Sequence, residues 1–498
     1  MKNLTTLSLS SNQFSTLPAQ IRELKNLTEL DLTNNENLDL ASVFTAFTNF
    51  SKMIHISTDV NSSNYNKEFL LIKIPQTNTL PAQIGELKNL AELNLSGNQL
   101  SSLPAQIGEL KNLTELNLSG NQLSSLPAQI GELKNLTELD LSANQLSTLP
   151  AQIRELENLT SLYINRNKLI TLPVQIGKLK NLTYLELNGN QLTNLPIQIK
   201  ELKNLTYLEL SGNQLTNLPM QIEEMENLKV LDLYHNQLVD LSTQINKFKN
   251  LTYLELSGNQ LANLPTQIGV LKNLSYLNLR YNKFKTFPLS IKELNSLTYL
   301  DLSENQLVNL PSQINNLKNL TDLYLEKNQI KELPIQIGEL RNLTNLYLQG
   351  NQIKELPTQI GELKKLNYLI LSNNQFTTLP TQIGELKNLT TLYLSDNQLT
   401  ILPAEIGELK NLKILRLSNN TLSITEIDKA LQSLPQIESL SLGDLGLSTL
   451  PASILRLKNL KTLDLRNYDD KKKNPNTFSP AEQEKIRKLL PKGCEVSF

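Results

Sequence analysis

The sequence is poor in the residues that cross-link, chelate or anchor a protein. It has one cysteine, Cys494, two histidines and no tryptophan, and 5% of its residues are aromatic. A single cysteine excludes an intramolecular disulfide. His55 and His235 lack cysteine or carboxylate partners at the spacing of zinc ligands. No apolar stretch of about 18 residues occurs, so we predict no membrane insertion.

Charge is equally uninformative at the level of the whole chain. The 47 lysines and arginines nearly balance 48 aspartates and glutamates, giving a net charge of -1. This balance offers no global field for nucleic acid, and we predict no nucleic-acid partner. Met1 runs directly into a repeat without a secretory signal. We therefore expect a soluble protein, cytoplasmic by default, or secreted or surface-exposed if a leader has been removed.

The dominant feature of the sequence is a repeat of 23 residues. It brings 15 successive asparagines into register, from Asn98 to Asn420, without an insertion. One repeat reads L-x-x-L-x-L-x-x-N-x-L from Leu113, followed by L-P-x-x-I-x-x-L-x-x-L from Leu126. A period of this length is typical of a solenoid, in which each repeat stacks only on its neighbours.

Each position of the repeat has a structural interpretation. Alternation at Leu116 and Leu118 predicts a short strand. Asn121 follows the strand, where its amide can pair with backbone groups of adjacent turns. Pro127 is placed at the first position of a short α or 3₁₀ helix, and Asn135 at a left-handed cap. These elements predict an α/β solenoid of about 21 strands, a curved horseshoe with a parallel sheet on its concave face and short helices on its convex face.

We expect three regions: N-terminal repeats over 1–75, a regular array over 76–468 and a cap over 469–498. Within the first region, Val43, Phe44, Phe47 and Phe50 have helix-like spacing. The segment 61–66 is interpreted either as part of a divergent repeat pair or as a binding loop.

The asparagine column is interrupted near both ends of the chain. Asp59 and Pro75 occupy it between Asn35 and Asn98, and Leu445 and Tyr468 occupy it near the C-terminus.

Beyond the last repeat, Ser479 and Glu482 have the spacing of a capping box, with Pro480 at the first helical position. We expect a helix with Ile486, Leu489 and Leu490 on its apolar face. Residues 494–498 are expected to add a final strand.

No catalytic motif is present. The sequence has no G-x-S-x-G, no P-loop and no G-x-G-x-x-G, so we predict no enzyme activity and no cofactor or metal. Function is instead sought at repeat positions that vary, because the fixed positions serve the stack.

Ten of the 14 tyrosines fall on outward-pointing strand positions. They are Tyr163, Tyr184, Tyr207, Tyr253, Tyr276, Tyr299, Tyr324, Tyr347, Tyr368 and Tyr393. Carboxylates stand beside several of them, namely Glu186, Glu209, Asp232, Glu255 and Asp301. Bulky pairs replace the usual Ser-Gly after four strands: Asn165-Arg166, Tyr234-His235, Arg280-Tyr281 and Glu326-Lys327.

Two interpretations of these positions remain open. Tyrosine and threonine are good strand formers and the carboxylates are expected to splay into solvent, so duplication alone could have copied both. Tyrosine and arginine are also typical of binding hot spots. On the second interpretation the partner site comprises Tyr184, Glu186, Tyr207, Glu209, Asp232, Tyr234, His235, Tyr253, Glu255, Tyr276, Arg280, Tyr281, Tyr299, Asp301 and Tyr324. The side chains of Tyr207, Tyr253 and Tyr276 are expected to face solvent.

The segment Leu-Pro-x-Gln-Ile-Gly-Glu-Leu-Lys-Asn-Leu at 103–113 resembles the 23-residue repeats of bacterial leucine-rich-repeat proteins of the spirochaete, Leptospira type. The resemblance covers nearly the whole chain, and the segment 478–486 is similar to the C-terminal cap of that group. It implies protein binding, in some members at the host interface. Bacterial effector ubiquitin ligases add a catalytic domain that this sequence lacks.

The leading hypothesis is a non-catalytic protein-binding scaffold that uses the concave face, with a partner that carries basic groups. The alternative is a surface adhesin or carbohydrate-binding protein. A third class, a Ca²⁺ site or a latent hydrolase, rests only on the column of carboxylates. We also expect self-association or a missing segment at the N-terminal edge, because residues 1–9 would leave the first strand uncovered.

Overall fold

A computed structural model describes residues 3–48, 53–57, 69–75, 77–218, 222, 224–467 and 474–498. The chain divides into two compact units, Met1–Leu251 and Thr252–Phe498, called unit 1 and unit 2. Each unit is built from one parallel sheet backed by short helices. The described residues form 22 strands in all, close to the number that the repeat predicts.

Unit 1 contains the first 11 strands. They are β1 Thr6–Ser8, β2 Glu29–Asp31, β3 Met53–Ser57, β4 Phe69–Lys73, β5 Glu92–Asn94, β6 Glu115–Asn117, β7 Glu138–Asp140, β8 Ser161–Tyr163, β9 Tyr184–Glu186, β10 Tyr207–Glu209 and β11 Val230–Asp232. From β5 onward, each strand pairs in parallel with the next one along the chain, in register, so that Leu116 faces Leu139.

Unit 2 contains the other 11 strands. They are β12 Tyr253–Glu255, β13 Tyr276–Asn278, β14 Tyr299–Asp301, β15 Asp322–Tyr324, β16 Asn345–Tyr347, β17 Tyr368–Ile370, β18 Thr391–Tyr393, β19 Ile414–Arg416, β20 Ser439–Ser441, β21 Thr462–Asp464 and β22 Glu495–Ser497. They pair in parallel in chain order.

The helices are short. The α-helices are α1 Leu40–Ala46, α2 Ile424–Gln432 and α3 Pro480–Leu489. The 3₁₀ helices of unit 1 are Ala19–Glu23, Ala82–Glu86, Ala105–Glu109, Ala128–Glu132, Ala151–Glu155, Val174–Lys178, Ile197–Glu201 and Thr243–Lys247. Those of unit 2 are Thr266–Val270, Leu289–Glu293, Ser312–Asn316, Ile335–Glu339, Thr358–Glu362, Thr381–Glu385, Ala404–Glu408 and Ala452–Arg456.

Two details of the predicted helical segment are wrong. Pro127 is the N-cap, with an extended backbone, and lies one residue before the helix. Asn135 does not adopt a left-handed conformation. Its side-chain amide instead donates a hydrogen bond to the backbone oxygen of Lys111 in the preceding repeat, at 2.9 Å. The asparagine therefore ties adjacent turns together, which a cap within one repeat would not do.

The core is a stack of leucines and isoleucines sealed by the asparagine column. Leu116 and Leu118 are 1% and 0% exposed. The Nδ2 of Asn121 donates to the carbonyl oxygens of Leu95 and Leu118, both at 2.9 Å. Its Oδ1 accepts from the backbone N–H of Leu100 at 3.0 Å. Asn121 thus satisfies three buried backbone groups in two repeats, and the structural role predicted for the column is confirmed.

The column is completed near the C-terminus by a residue that the repeat period does not indicate. Asn476 donates to the oxygens of Leu442 and Leu465 and accepts from the N–H of Leu447 at 2.9 Å, the same pattern as in a regular repeat. Tyr468, which the period places in the column, lies outside the described residues.

The predicted C-terminal helix and strand are present as α3 and β22. The Ser479 hydroxyl accepts a hydrogen bond from the N–H of Glu482, as expected for the cap of α3. Ile486 is fully buried. The apolar face is smaller than predicted, because Leu489 is 44% exposed and Leu490 follows the last helical residue.

The N-terminal repeats depart from chain order. β4 pairs with both β2 and β3, and β3 pairs with β5, so that β4 lies between β2 and β3. α1 contains Val43 and Phe44, both fully buried, which confirms the helix-like spacing. Phe47 is its C-cap, and Phe50, Asp59 and the segment 61–66 lie outside the described residues.

Candidate functional site

The candidate site is the face of the sheet that does not contact the leucine core. In the three-residue strands between the terminal strands β1 and β22, the middle residue, such as Leu208, points into the core and is buried. The first and third residues point to the opposite side. We call that side the sheet face, and its two rows of side chains the first column and the third column. Tyr207 and Glu209 illustrate the two columns on β10.

In unit 1 the sheet face carries a stack of three tyrosines. The rings of Tyr184 and Tyr207, neighbours in the first column, are 4.1 Å apart and nearly parallel, at 9°. Tyr163 belongs to the third column, and its ring lies 5.3 Å from that of Tyr184 at 47°. The rings support one another, so their positions are fixed before any partner arrives.

In unit 2 the stack is longer. Tyr253, Tyr276 and Tyr299 follow one another in the first column, with ring centroids 4.2 and 4.3 Å apart. The stack then crosses to the third column, where Tyr324 lies 5.1 Å from Tyr299 and 4.6 Å from Tyr347. All five rings are half-buried, which corrects the expectation that Tyr253 and Tyr276 simply face solvent.

The phenols of both stacks remain protonated donors. Burial raises the pKa of Tyr207 and of Tyr324 to about 12, with a further contribution from neighbouring carboxylates. Burial also raises the pKa of Tyr184, Tyr276 and Tyr299. These hydroxyl groups can therefore donate hydrogen bonds throughout the neutral range.

The carboxylates of the third column in unit 1 accept some of those bonds. The Tyr184 hydroxyl donates to Oε1 of Glu186 at 2.7 Å, and the Asn165 amide donates to Oε2 at 2.6 Å. The Tyr207 hydroxyl donates to Glu209 at 3.1 Å. Tyrosine and carboxylate thus form a unit within one strand, in which each orients the other.

In unit 2 two of the predicted carboxylates are buried, so the expectation that they face solvent is wrong. Glu255 is 6% exposed and accepts from Tyr276, Asn278 and the N–H of Ser257. Asp301 is 4% exposed and accepts from the N–H and the hydroxyl of Ser303. Burial raises the pKa of Asp301. Glu255 thereby holds the hydroxyl of Tyr276 within the tyrosine stack, whereas Asp301 is held by Ser303.

The bulky pairs that follow the strands lie beside the sheet face, and the second residue of each pair has a positive φ. In unit 1 these residues are Arg166 and His235, at 53° and 52°. In unit 2 they are Tyr281 and Lys327, at 57° and 49°. Glycine holds the same position in several other repeats, at positive φ without strain. A bulky side chain there costs roughly 1–2 kcal/mol of backbone free energy.

A charged cluster joins the two pairs of unit 2, Arg280-Tyr281 and Glu326-Lys327. Glu304 accepts from Arg280 at 2.7 Å and from Lys327 at 3.1 Å. Burial alone would raise the pKa of Glu304, but these two hydrogen bonds outweigh it and lower the pKa. The adjacent Glu326 has a buried Oε2 without a hydrogen-bond partner, and burial raises its pKa to about 7.

The predicted site residues divide between the two units. Unit 1 holds Tyr184, Glu186, Tyr207, Glu209, Asp232, Tyr234 and His235, and unit 2 holds Tyr253, Glu255, Tyr276, Arg280, Tyr281, Tyr299, Asp301 and Tyr324. Within each unit the strands that carry them are hydrogen-bonded neighbours.

An acidic region of unit 1 lies outside the predicted set. Glu92, Glu115 and Glu138 align in the first column on β5, β6 and β7, with Asp140 in the third. They line a shallow cavity of about 140 Å³. Burial, followed by the charges of Glu115 and Asp140, raises the pKa of Glu138. Their spacing of 23 residues would have revealed this column in the sequence.

Other kinds of site find no support in the described part of the chain. It contains no group of three or more His, Cys, Asp or Glu side chains that could hold a metal ion. No helix there is long and apolar enough to cross a bilayer. His55 lies on β3 among buried residues, and burial lowers its pKa.

The parallel sheets, the asparagine column and the short outer helices define a leucine-rich-repeat solenoid. The chain belongs to the leucine-rich-repeat family: a profile described as "Leucine-rich repeat region" matches residues 115–185, 226–326 and 358–444. A profile described as "Leucine rich repeat" matches residues 157–215. A third, described as "Leucine Rich repeats (2 copies)", matches residues 2–45, 88–129 and 203–247. No curated protein matches significantly.

Several solved structures are similar to this chain in both sequence and fold. A leucine-rich-repeat protein of Leptospira interrogans is 44% identical, with a TM-score of 0.70 over 73% of this chain and 93% of its own. A plant peptide hormone receptor in complex with RGF2 is 28% identical, with a TM-score of 0.65 over 94% of this chain and 86% of its own. The Arabidopsis receptor kinase HAESA ectodomain with its IDA peptide hormone ligand is 28% identical, with a TM-score of 0.55 over 93% and 82%. The chain is therefore a leucine-rich-repeat protein of the Leptospira type.

Proposed function

We propose that the protein is a non-catalytic scaffold that binds a protein partner through the sheet face. The observation that carries this proposal is the preorganised tyrosine stack in each unit. A stacked, half-buried tyrosine gives a large and rigid contact area at little cost in side-chain entropy. The plant receptor and the HAESA ectodomain, which share the fold, are described in complex with peptide ligands, which supports a protein or peptide partner.

The proposed contact residues have two roles. The tyrosines and the rim residues Tyr234, His235, Arg280 and Tyr281 would touch the partner, since Tyr234 and Tyr281 are 51% and 61% exposed. Glu255 would act indirectly, by holding the hydroxyl of Tyr276. Glu186 and Glu209 favour a partner that carries basic groups or many hydrogen-bond donors.

Affinity capture followed by mutation tests the proposal. Proteins retained by the immobilised chain are identified by mass spectrometry, first from extracts of host tissue, because some of the spirochaete proteins that the repeats resemble act at the host interface. Two variants, Tyr184→Ala with Tyr207→Ala and Tyr253→Ala with Tyr276→Ala, are then titrated against the captured protein. We expect at least one pair to weaken binding by roughly 100-fold, the loss of two hot spots of moderate strength.

The matched control lies on the helix side of the same repeats. Val174 and Ile197 are 51% and 53% exposed and begin their 3₁₀ helices. Changing both to alanine should leave binding within about twofold, as for surface positions outside an interface. If the helix-side variant loses binding and both tyrosine variants retain it, the partner uses the outer face and the proposal is wrong.

A carbohydrate partner is the alternative, and the ring geometry disfavours it in the middle of each stack. A sugar packs on the face of an aromatic ring, but the faces of Tyr184 and Tyr207 cover each other at 4.1 Å, as do those of Tyr253 and Tyr276 at 4.2 Å. A glycan array separates the two functions. Specific glycan binding that is lost in the tyrosine variants would establish the carbohydrate function instead.

A further inference from the structure

Charge is distributed unequally over the two sides of unit 1. On the helix side, lysines pair with glutamates one repeat further on, as in Lys88–Glu109 at 3.2 Å and Lys111–Glu132 at 3.3 Å. On the sheet face, Glu115, Glu138, Asp140, Glu186 and Glu209 form no ion pair with a described lysine or arginine. The near-neutral chain therefore leaves one negative surface uncompensated.

This surface has an internal cost. Carboxylates in one column stand about 4.8 Å apart, the distance between neighbouring strands, and like charges at that distance repel. Burial is the main cause of the raised pKa of Glu138, and the charges of Glu115 and Asp140 add to it. A cation placed over the surface would relieve the repulsion.

Tyr163 interrupts the third column at the centre of this surface. It pairs in register with Asp140 on one side and with Glu186 on the other, so a carboxylate lies on each adjacent strand. Burial, followed by the charges of Glu138 and Glu186, raises the pKa of Tyr163. Its ring is tilted by 47° from that of Tyr184 and is not covered face to face.

An aromatic ring flanked by carboxylates matches the chemistry of one side chain. The arginine guanidinium is planar, stacks on aromatic rings and forms forked hydrogen bonds with carboxylates. The lysine ammonium is more strongly hydrated and has no planar face. Asp140 has an oxygen available for such a bond, since only its Oδ1 accepts from the N–H of Ser142, at 2.9 Å.

We propose that Glu138, Asp140, Tyr163 and Glu186, called the Tyr163 site, bind an arginine side chain within a basic segment of the protein partner. This inference rests on the proposed function and gives the chemical class of its partner. Further arginines of the same segment would lie over Glu115 and Glu209.

A fluorescein-labelled nona-arginine peptide, titrated by fluorescence anisotropy against the full chain, is the probe. A nona-lysine peptide of equal charge and a nona-glutamate peptide are its comparisons. We expect nona-arginine to bind more tightly than nona-lysine by about fivefold, the size of a partly exposed cation–π contact. Nona-glutamate should not bind, and both basic peptides should weaken as salt is raised.

Four variants test whether the peptides bind at the Tyr163 site. Tyr163→Leu should reduce the preference for arginine, because only the forked bonds to the carboxylates remain, while leaving nona-lysine binding unchanged. Tyr163→Phe should keep the full preference. Glu138→Gln with Asp140→Asn should weaken both basic peptides by at least about tenfold, as expected for two lost charge contacts. The matched control changes Glu109 and Glu132 of the helix side to Gln. The proposal is overturned if the two peptides bind equally in the parent, or if the control matches the Glu138 and Asp140 variant.

The captured protein separates this inference from the proposed function. Nona-arginine should displace it from the parent chain, and Tyr163→Leu should weaken its binding. If it requires the tyrosine stacks but is neither displaced by nona-arginine nor sensitive to Tyr163→Leu, the inference fails and the proposed function stands. If it binds to the helix side while nona-arginine still selects the Tyr163 site, the proposed function fails instead.

Discussion

Changing Glu326 to Gln should make the stability of the protein less dependent on pH. The side chain lies near Asp301, Glu304 and Arg280, and its buried Oε2 has no hydrogen-bond partner. Burial raises its pKa from 4.5 to about 7. Glutamine resembles the protonated form in shape and carries no charge at any pH.

The direction of the effect follows from the two pKa values. Below pH 4.5 Glu326 is protonated in both the folded and the unfolded chain, and it contributes no pH dependence. Between about pH 4.5 and 7 the unfolded chain loses the proton while the folded chain keeps it, so folding becomes less favourable as pH rises. Above pH 7 the loss is complete. Stability associated with this residue is therefore present in acid and absent at alkaline pH.

The magnitude can be worked from the shift. The difference between 4.5 and about 7 is about 2.5 units, which corresponds to roughly 3 kcal/mol at about 1.4 kcal/mol per unit. Because Glu326 is partly exposed, solvent screening reduces the expected gain of Glu326→Gln at pH 8 to about 1–2 kcal/mol. The gain should shrink to nearly zero below pH 4.5.

Urea unfolding followed by far-ultraviolet circular dichroism, at several pH values from 4 to 8, measures the difference. The chain has no tryptophan to serve as a fluorescent probe. Glu332→Gln is the matched control, since Glu332 is exposed in the adjoining turn. If the urea midpoints of Glu326→Gln and the parent differ by the same amount at every pH, the burial argument is refuted.

Three further substitutions test the packing between repeats and the residues beside the sheet face, by the same unfolding assay. Asn121→Leu should destabilise the chain by roughly 3–5 kcal/mol, because three buried backbone groups lose their hydrogen-bond partner. A loss of stability below about 1 kcal/mol would contradict the role of the asparagine column. Gly131→Ala should cost roughly 1–3 kcal/mol, since a Cβ there would lie 2.6 Å from the backbone oxygen of Gln152, and an unchanged midpoint would contradict that contact. Tyr281→Gly should raise the free energy of unfolding by up to about 1 kcal/mol, because it removes backbone strain at a φ of 57°. The same change should weaken binding of the captured partner. Unchanged binding would exclude Tyr281 from the interface.

The sequence predicts the parts of the fold that depend on one repeat and its neighbour. The period alone places Leu116 in the core and Asn121 in a hydrogen-bonded column, because each of these roles is fulfilled within adjacent turns. The order of β3 and β4 in the sheet cannot be predicted in this way. It depends on pairing between strands of irregular repeats, where the side-chain pattern no longer fixes which strand is adjacent.

Burial of the polar side chains could not be obtained from the pattern for a similar reason. Glu209 and Glu255 occupy the same repeat position, yet Glu255 is 6% exposed and Glu209 is less buried. The difference comes from the neighbours: Glu255 accepts from both Tyr276 and Asn278 on the next strand, whereas the corresponding residues of the strand after Glu209 are Val230 and Asp232. Only the structure shows that Asn476 belongs to the asparagine column, because an insertion displaces it from the 23-residue spacing of the repeats.

Stability alone does not explain the side chains that distinguish these repeats from one another. Gly189, Gly212 and Gly258 hold the positive-φ position in three repeats, and the same position in other repeats carries His235 or Tyr281. Glycine thus holds this position without strain in some repeats, whereas other repeats carry bulky residues there that strain the backbone. Likewise, the helix side of unit 1 pairs lysines with glutamates, while the sheet face accumulates carboxylates that repel one another. Both departures raise the free energy of the folded chain, and both lie at the strands and their exits. The proposed contact with a basic partner, beside stacked tyrosines that are already ordered, would offset this cost by relieving the charge.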